Sequence, residues 1–104
     1  MPPLRIPTLP AKEALIIGLL SSSARHGEMY GLELVAASKG RLKRGTVYVT
    51  LGRMEEKGLV ASRLEDAPAN AGGLPRRIYQ ATALGQRVHD AWLHVARLLP
   101  EFAR

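Results

Sequence analysis

A chain of 104 residues accommodates one domain with a small core, and at 46% hydrophobic residues it holds enough apolar material to fold rather than stay disordered. It contains no cysteine, which excludes disulfides, thiol catalysis and cysteine-held metals and suits a reducing, cytoplasmic compartment. Lys and Arg number 15 against 9 Asp and Glu, a formal charge of +6, which points toward a polyanionic partner such as nucleic acid.

In chain order, residues 1–9 carry three prolines and predict an extended arm, and Met1-Pro2-Pro3-Leu4-Arg5 has no pattern of a secretion signal. Pro10 suits a first helical turn, where a missing N–H costs little, and Leu15, Ile16, Leu19 and Leu20 recur at helical spacing, so a helix is expected over 11–22. The apolar run Ala14 to Leu20 is too short to span a bilayer. Ser21-Ser22-Ser23 and Gly27 end the helix, and a second is expected from Tyr30 to Ser38, with Leu34 and Val35 inward and Gly40 closing it. Lys39, Arg41, Lys43 and Arg44 then fall within six residues that include no acid. A third helix is expected from Gly45 to Gly58, with Val47, Tyr48, Leu51 and Met54 as its buried stripe. Two short helices joined by a brief turn, the second amphipathic, form a helix-turn-helix pattern.

The period changes after Gly58. Leu59 to Glu65 reads as a strand, with Val60, Ser62 and Leu64 on one face. Ala67 to Pro75 reads as a loop and Arg77 to Ala81 as the returning strand, together a wing. Thr82 is the expected N-cap of a last helix over 83–99. Leu84, Val88, Ala91, Val95 and Leu98 recur at intervals of four and three, and Trp92, Leu99, Leu93 and Ala96 widen the apolar surface. A helix apolar over so much of its circumference needs two partners, its own domain and a second copy of the chain. The expected fold is mainly α (α+β): a winged helix-turn-helix of three helices and a two-stranded wing over 10–82, an arm over 1–9, and a long C-terminal dimerisation helix with its tail over 83–104.

Three stretches resemble the PadR-like family of winged-helix regulators. Met29-Tyr30-Gly31-Leu32-Glu33-Leu34 is similar to the family's Met-His-Gly-Tyr-Glu-Leu. Gly45-Thr46-Val47-Tyr48-Val49, then Leu51 and Arg53-Met54-Glu55-Glu56-Lys57-Gly58-Leu59-Val60, is similar to its Gly-Thr-Leu-Tyr-Pro, Leu and Arg-Leu-Glu-Glu-Lys-Gly-Leu-Ile. Gly73-Leu74-Pro75-Arg76-Arg77-Ile78-Tyr79, Thr82 and Gly85 fit its wing. Tyr30 replaces the usual His and Val49 the usual Pro. The likeness runs from Ala14 to Gly85, and a single C-terminal helix matches the family's short subgroup. It implies a DNA-binding transcriptional regulator, a repressor by the family's habit, dimerising through terminal helices, with some members binding planar drugs at the dimer interface.

On the third helix, Thr46, Val49, Thr50, Arg53 and Lys57 are expected to point outward. Thr and Val allow close approach to base edges, Val reaching a thymine methyl, and Arg53 reaches a phosphate or a guanine. Lys39, Arg41, Lys43 and Arg44 are expected on phosphates, and Arg76 and Arg77 on backbone or minor groove, pointing to opposite faces of their strand. Tyr48 and Tyr79 are read as core and wing-packing residues. Leu84, Val88, Ala91, Trp92, Val95, Leu98 and Leu99 are the expected dimer interface. Two readings stay open for Trp92, interface packing and the wall of a pocket for a planar aromatic effector. No cofactor, metal or catalysis is expected: His26, His89 and His94 lack ligand spacing, no carboxylate pair stands by a nucleophile, and Gly72-Gly73 precedes no helix. The alternatives are a winged-helix module that meets an acidic protein and an RNA binder; the outward faces hold none of the aromatics on which RNA bases stack.

Overall fold

The computed structural model describes residues 9–23, 27–66 and 75–102. Residues 1–8 of the expected arm over 1–9 and most of the wing loop, 67–74, lie outside them, and Leu9, the arm's last residue, is buried against the core. The elements are α1 (Ala11–Ser21), β1 (Glu28–Tyr30), α2 (Gly31–Ala37), α3 (Arg44–Glu56), β2 (Val60–Glu65), β3 (Arg76–Ala81), α4 (Ala83–Leu98) and a 3-10 turn (Pro100–Phe102). This is the expected winged helix-turn-helix with one strand more. The sheet is antiparallel in the order β1-β3-β2, with Met29 opposite Tyr79 and Ser62 opposite Tyr79 on the other side. Three residues are too few to display a period of two, so β1 exists only because β3 offers it a pairing edge. Its last residue, Tyr30, precedes α2, which therefore starts one residue later than expected.

α1 lies at the centre, packed on α2, α3, α4 and β3. That is why it is apolar on several sides: Ile16, Ile17 and Leu20 are fully buried, and Leu15 and Leu19 are half-buried against the same core. Leu34 from α2, Val47, Leu51 and Met54 from α3, and Val60 from β2 complete that core. The turn between α2 and α3 is held by Ser38, whose hydroxyl donates to the carbonyl of Val35 at 2.7 Å and accepts from the N–H of Leu42 at 2.9 Å. This bond closes the turn and turns Leu42 into the core.

α3 ends in a paired cap. Gly58 takes a φ of 78°, its N–H reaches the carbonyl of Glu55 at 3.0 Å, and the N–H of Leu59 reaches that of Met54 at 2.9 Å. Leu59 and Met54 are both buried, the apolar contact that accompanies such a cap. Thr82 caps α4 as expected, accepting from the N–H of Gly85 at 3.0 Å while its hydroxyl donates to the carbonyl of Gly58.

Two expectations are corrected. Tyr48 is not in the buried stripe of α3: it is 48% exposed, because it sits one position beyond the arc that faces the core. Lys57 does not join the outward face but folds back to α1, where its ammonium donates to both oxygens of buried Glu13 at 2.9 and 3.1 Å. Val60, Ser62 and Leu64 share one face as expected, Val60 buried at the root of the hairpin and Leu64 exposed toward its tip. No helix among the described residues is long and apolar enough to cross a membrane.

α4 meets its own domain through Gly85, His89 and Trp92, at intervals of four and three. Gly85 permits this: a Cβ there would lie 2.0 Å from the carbonyl oxygen of Leu59. Backbone cannot yield as a side-chain tip can, so Gly85→Ala is expected to lower stability by about 2–3 kcal/mol. Thermal unfolding should show this as a Tm fall of about 10–20 °C; an unchanged Tm would mean that α4 docks some other way.

Candidate nucleic-acid interface

The exposed side of α3 begins with Lys43, its N-cap, and Arg44, its first residue, both exposed, with no acid in the first turn. A helix N-terminus carries positive partial charge and normally attracts acids, so two cations there oppose stability. They concentrate positive potential at the end of the helix, where unpaired N–H groups already favour an anion.

Gly45, Thr46, Val49, Gly52 and Arg53 follow as an open strip, with Val49 55% exposed and Thr50 half-buried. The two threonine hydroxyls donate to carbonyls of the preceding turn, Thr46 to Lys43 at 3.3 Å and Thr50 to Thr46 at 3.0 Å. In these rotamers their lone pairs remain outward, so they present acceptors, suited to the amino groups of adenine or cytosine. The two small glycines and the methyls of Val49 make the strip shallow.

Across a hollow of about 320 Å³ stands the wing. The hollow is lined by Tyr30, Leu32, Glu33, Tyr48, Arg76 and Arg77, among others. Tyr48 lies over Gly31, where a Cβ would come 2.5 Å from its ring, so the glycine at the start of α2 makes room for a ring on α3. Arg76 places its guanidinium 4.2 Å above the centre of the Tyr30 ring. Arg77 donates to the hydroxyl of Ser62 at 2.9 Å, and Ser62 in turn donates to Glu55 at 2.9 Å. Burial raises the Tyr79 hydroxyl above the ordinary tyrosine pKa, partly offset by the charge of Arg77. Tyr79 is buried, as the sequence predicts for a wing-packing residue.

Of the basic run, Lys43 and Arg44 therefore flank the open strip, and Lys39 is exposed in the turn with a φ of 54°. Arg41 stands apart. It lines a second hollow, of about 250 Å³, with Ala14, Leu15, His89, Trp92 and Leu93 between α1 and α4. Trp92, 8% exposed, is part of the chain's own core and also lines this hollow. The Nδ1 of His89 has no hydrogen-bond partner among the described residues. The remaining expected interface residues of α4 split by exposure: Val88, Ala91 and Val95 are half-buried, while Leu84, Leu98 and Leu99 are exposed, Leu98 at 63%. Sequence reasoning missed Tyr30 and the outward Tyr48; the signal available for Tyr30 was its departure from the usual His. Among the described residues no cluster of His, Asp or Glu is placed to hold a metal ion.

A family model for PadR-like transcriptional regulators matches residues 16–91. A PadR family transcription regulator from hypervirulent Clostridium difficile is 28% identical, with 86% of this chain and 90% of that one covered and a TM-score of 0.69. A PadR family transcriptional regulator from Eggerthella lenta is 26% identical over 88% of this chain and 79% of that one, with a TM-score of 0.67. Bacillus subtilis PadR, solved in complex with operator DNA, shares the fold with a TM-score of 0.66 at 23% identity; 79% of this chain and 46% of that longer one are covered. Among curated proteins none matches the sequence closely enough to serve as a relative.

Proposed function

The chain belongs to the PadR-like family of transcriptional regulators, and we propose that it binds double-stranded DNA sequence-specifically, as a cytoplasmic homodimer that represses from a near-palindromic operator. The observation that carries this reading is the first turn of α3: Lys43 and Arg44, without an acid, at the head of the shallow strip Thr46, Val49, Thr50 and Arg53. The operator complex of the Bacillus subtilis protein supports it by analogy of fold. Lys39, Lys43, Arg44 and Arg76 are assigned to phosphates, and Thr46, Val49 and Thr50 to base edges. Arg53 reaches either class of group. Arg41 and Arg77 are the weakest of the assigned contacts, one facing the α1–α4 hollow and the other bonded to Ser62. No step of this function calls for an enzyme's nucleophile or a cofactor.

The dimer reading rests on what α4 leaves uncovered. Its inner face is filled by Gly85, His89 and Trp92, yet Leu84 and Leu98 on the helix and Leu99 at its C-cap remain exposed. Exposed apolar area of this kind marks an association surface. A second copy seated there would bring Val88, Ala91 and Val95 together with Leu84, Leu98 and Leu99, which share their side of α4. The hollow beside Trp92, between α1 and α4, is where a planar aromatic effector would be received.

A dimer sets two recognition helices about 34 Å apart, so DNA fragments selected by the protein should be near-palindromes with half-sites one turn apart. Lys43→Ala and Arg44→Ala should weaken binding to selected and scrambled duplexes alike. Each should also shallow the salt dependence by about two units, one per phosphate contact in each subunit. Thr46→Ala or Thr50→Ala should cost about 1–3 kcal/mol on the selected site alone. Threonine variants that lose both duplexes equally would show the strip to be misassigned, and a wild type that retards no duplex at any salt would favour an acidic protein as partner.

For the dimer, sedimentation at micromolar concentration should give two copies for the wild type. Val95→Glu combined with Leu98→Glu should give one copy and weak operator binding. A wild type that sediments as a monomer ends the dimer reading. For the effector, planar aromatic compounds should quench the fluorescence of Trp92, the single Trp of the chain, and release DNA; a panel without response leaves Trp92 as packing.

A further inference from the structure

The strand register places Glu28, Tyr30, Arg63, Glu65 and Arg76 on one face of the sheet, since paired residues in antiparallel strands share a face and alternate residues return to it. Their contacts form a fixed order. Arg63 donates to both oxygens of Glu28 at 3.0 and 3.1 Å and stands 3.7 Å from Glu65. The Tyr30 hydroxyl donates to the other oxygen of Glu65. Glu65 is the cross-strand neighbour of Arg76 and the obvious carboxylate for it, yet both its oxygens face other groups, and no carboxylate among the described residues is paired with Arg76. Arg76 instead places its guanidinium carbon over the face of the Tyr30 ring, 4.2 Å from its centre.

That difference matters chemically. A guanidinium in a salt bridge uses its N–H fork on the carboxylate. A guanidinium stacked on a ring is held through its face, and its N–H donors, which lie in its plane, stay available to a phosphate. The ring itself cannot drift. The backbone of Tyr30 is paired to Ile78 in the sheet, and its N–H donates to the carboxylate of Glu33 at 2.8 Å. Both residues line the hollow that separates the wing from α3.

We propose that Tyr30 is a positioning residue for Arg76, its ring holding the guanidinium at the mouth of this hollow with the N–H fork open to a DNA phosphate. The inference rests on the DNA-binding reading. Tyr30 touches no DNA in this scheme; it lowers the freedom that Arg76 would otherwise lose on binding.

The test is a double-mutant cycle in the full-length protein, with affinity for a random duplex as the readout. Arg76→Ala should weaken binding and shallow the salt dependence. Tyr30→Leu keeps every charge, yet should weaken binding about two- to five-fold, the loss of an exposed stacking contact. In the Arg76→Ala background Tyr30→Leu should have no further effect, and Tyr30→Phe, which keeps the ring and is made together with Glu65→Gln so that the freed carboxylate does not capture Arg76, should bind as Glu65→Gln alone does. If Tyr30→Leu does not fold by circular dichroism, Tyr30→Met, which fills the space without a π face, takes its place in the cycle. Equal losses from the Tyr30 substitution in both backgrounds, or no loss in either, overturn the proposal, as does an Arg76→Ala protein that binds like wild type. A wild type that binds no duplex fails the DNA reading itself, a result distinct from a wild type that binds while Tyr30 and Arg76 act independently.

Discussion

The carbonyl of Leu59 accepts the N–H of Thr82 at 3.0 Å and occupies the space that a side chain on Gly85 would need. Around this point three elements are joined within a few residues. The N–H of Leu59 closes the end of α3 through Met54, the hydroxyl of Thr82 bonds Gly58, and the same Thr82 caps α4. The end of α3, the root of the wing and the start of α4 therefore meet at one junction made largely of backbone. Backbone contacts tolerate little adjustment, so the angle between α3 and the wing, and the direction in which α4 leaves the domain, are set together. The hollow between α3 and the wing exists because of that geometry.

A second constraint is the distribution of charge. The acids near the sheet and the helix ends are engaged inside the domain: Glu13 with Lys57, Glu28 with Arg63, Glu55 with Ser62, and Glu65 with Tyr30 and Arg63. Lys57 is drawn away from the face of α3 in the process. Lys43 and Arg44 meet the opposite treatment, standing at a helix end where the dipole disfavours them. A fold that pairs Glu13, Glu28 and Glu65 with cations of its own and leaves Lys43 and Arg44 at its anion-favouring helix terminus has a directed positive field, which a net charge of +6 alone does not imply.

α4 links the two halves of the proposed function. Its inner face uses small and flat residues, Gly85, His89 and Trp92, which let the helix approach α1 closely. Its leucines are left to the outside. Because α1 touches both α4 and α3, and Glu13 on α1 holds the end of α3 through Lys57, a change in how α4 is covered has a continuous packed route to the recognition helix.

The sequence by itself determined the class of fold and most of its elements. Helical periodicity in α1, α3 and α4, the glycine after α3, the cap at Thr82 and the alternation in the wing are local signals, written in residues that lie within a turn or two of one another. The open strip of Thr46, Val49 and Arg53 followed from the same periodicity. What periodicity could not separate was one edge of a stripe from the next. Tyr48 was read into the buried arc of α3, yet it lies one position beyond that arc, and its ring stays outside, over Gly31. On α4 the apolar stripe was legible, yet the face that docks was chosen by the space that Gly85 leaves beside Leu59. The strand Glu28–Tyr30, the ion pair of Glu13 with Lys57, and the stack of Arg76 on Tyr30 join residues dozens of positions apart. Such contacts depend on where the chain returns in space, and no local pattern of side chains encodes that; tertiary packing alone decided them.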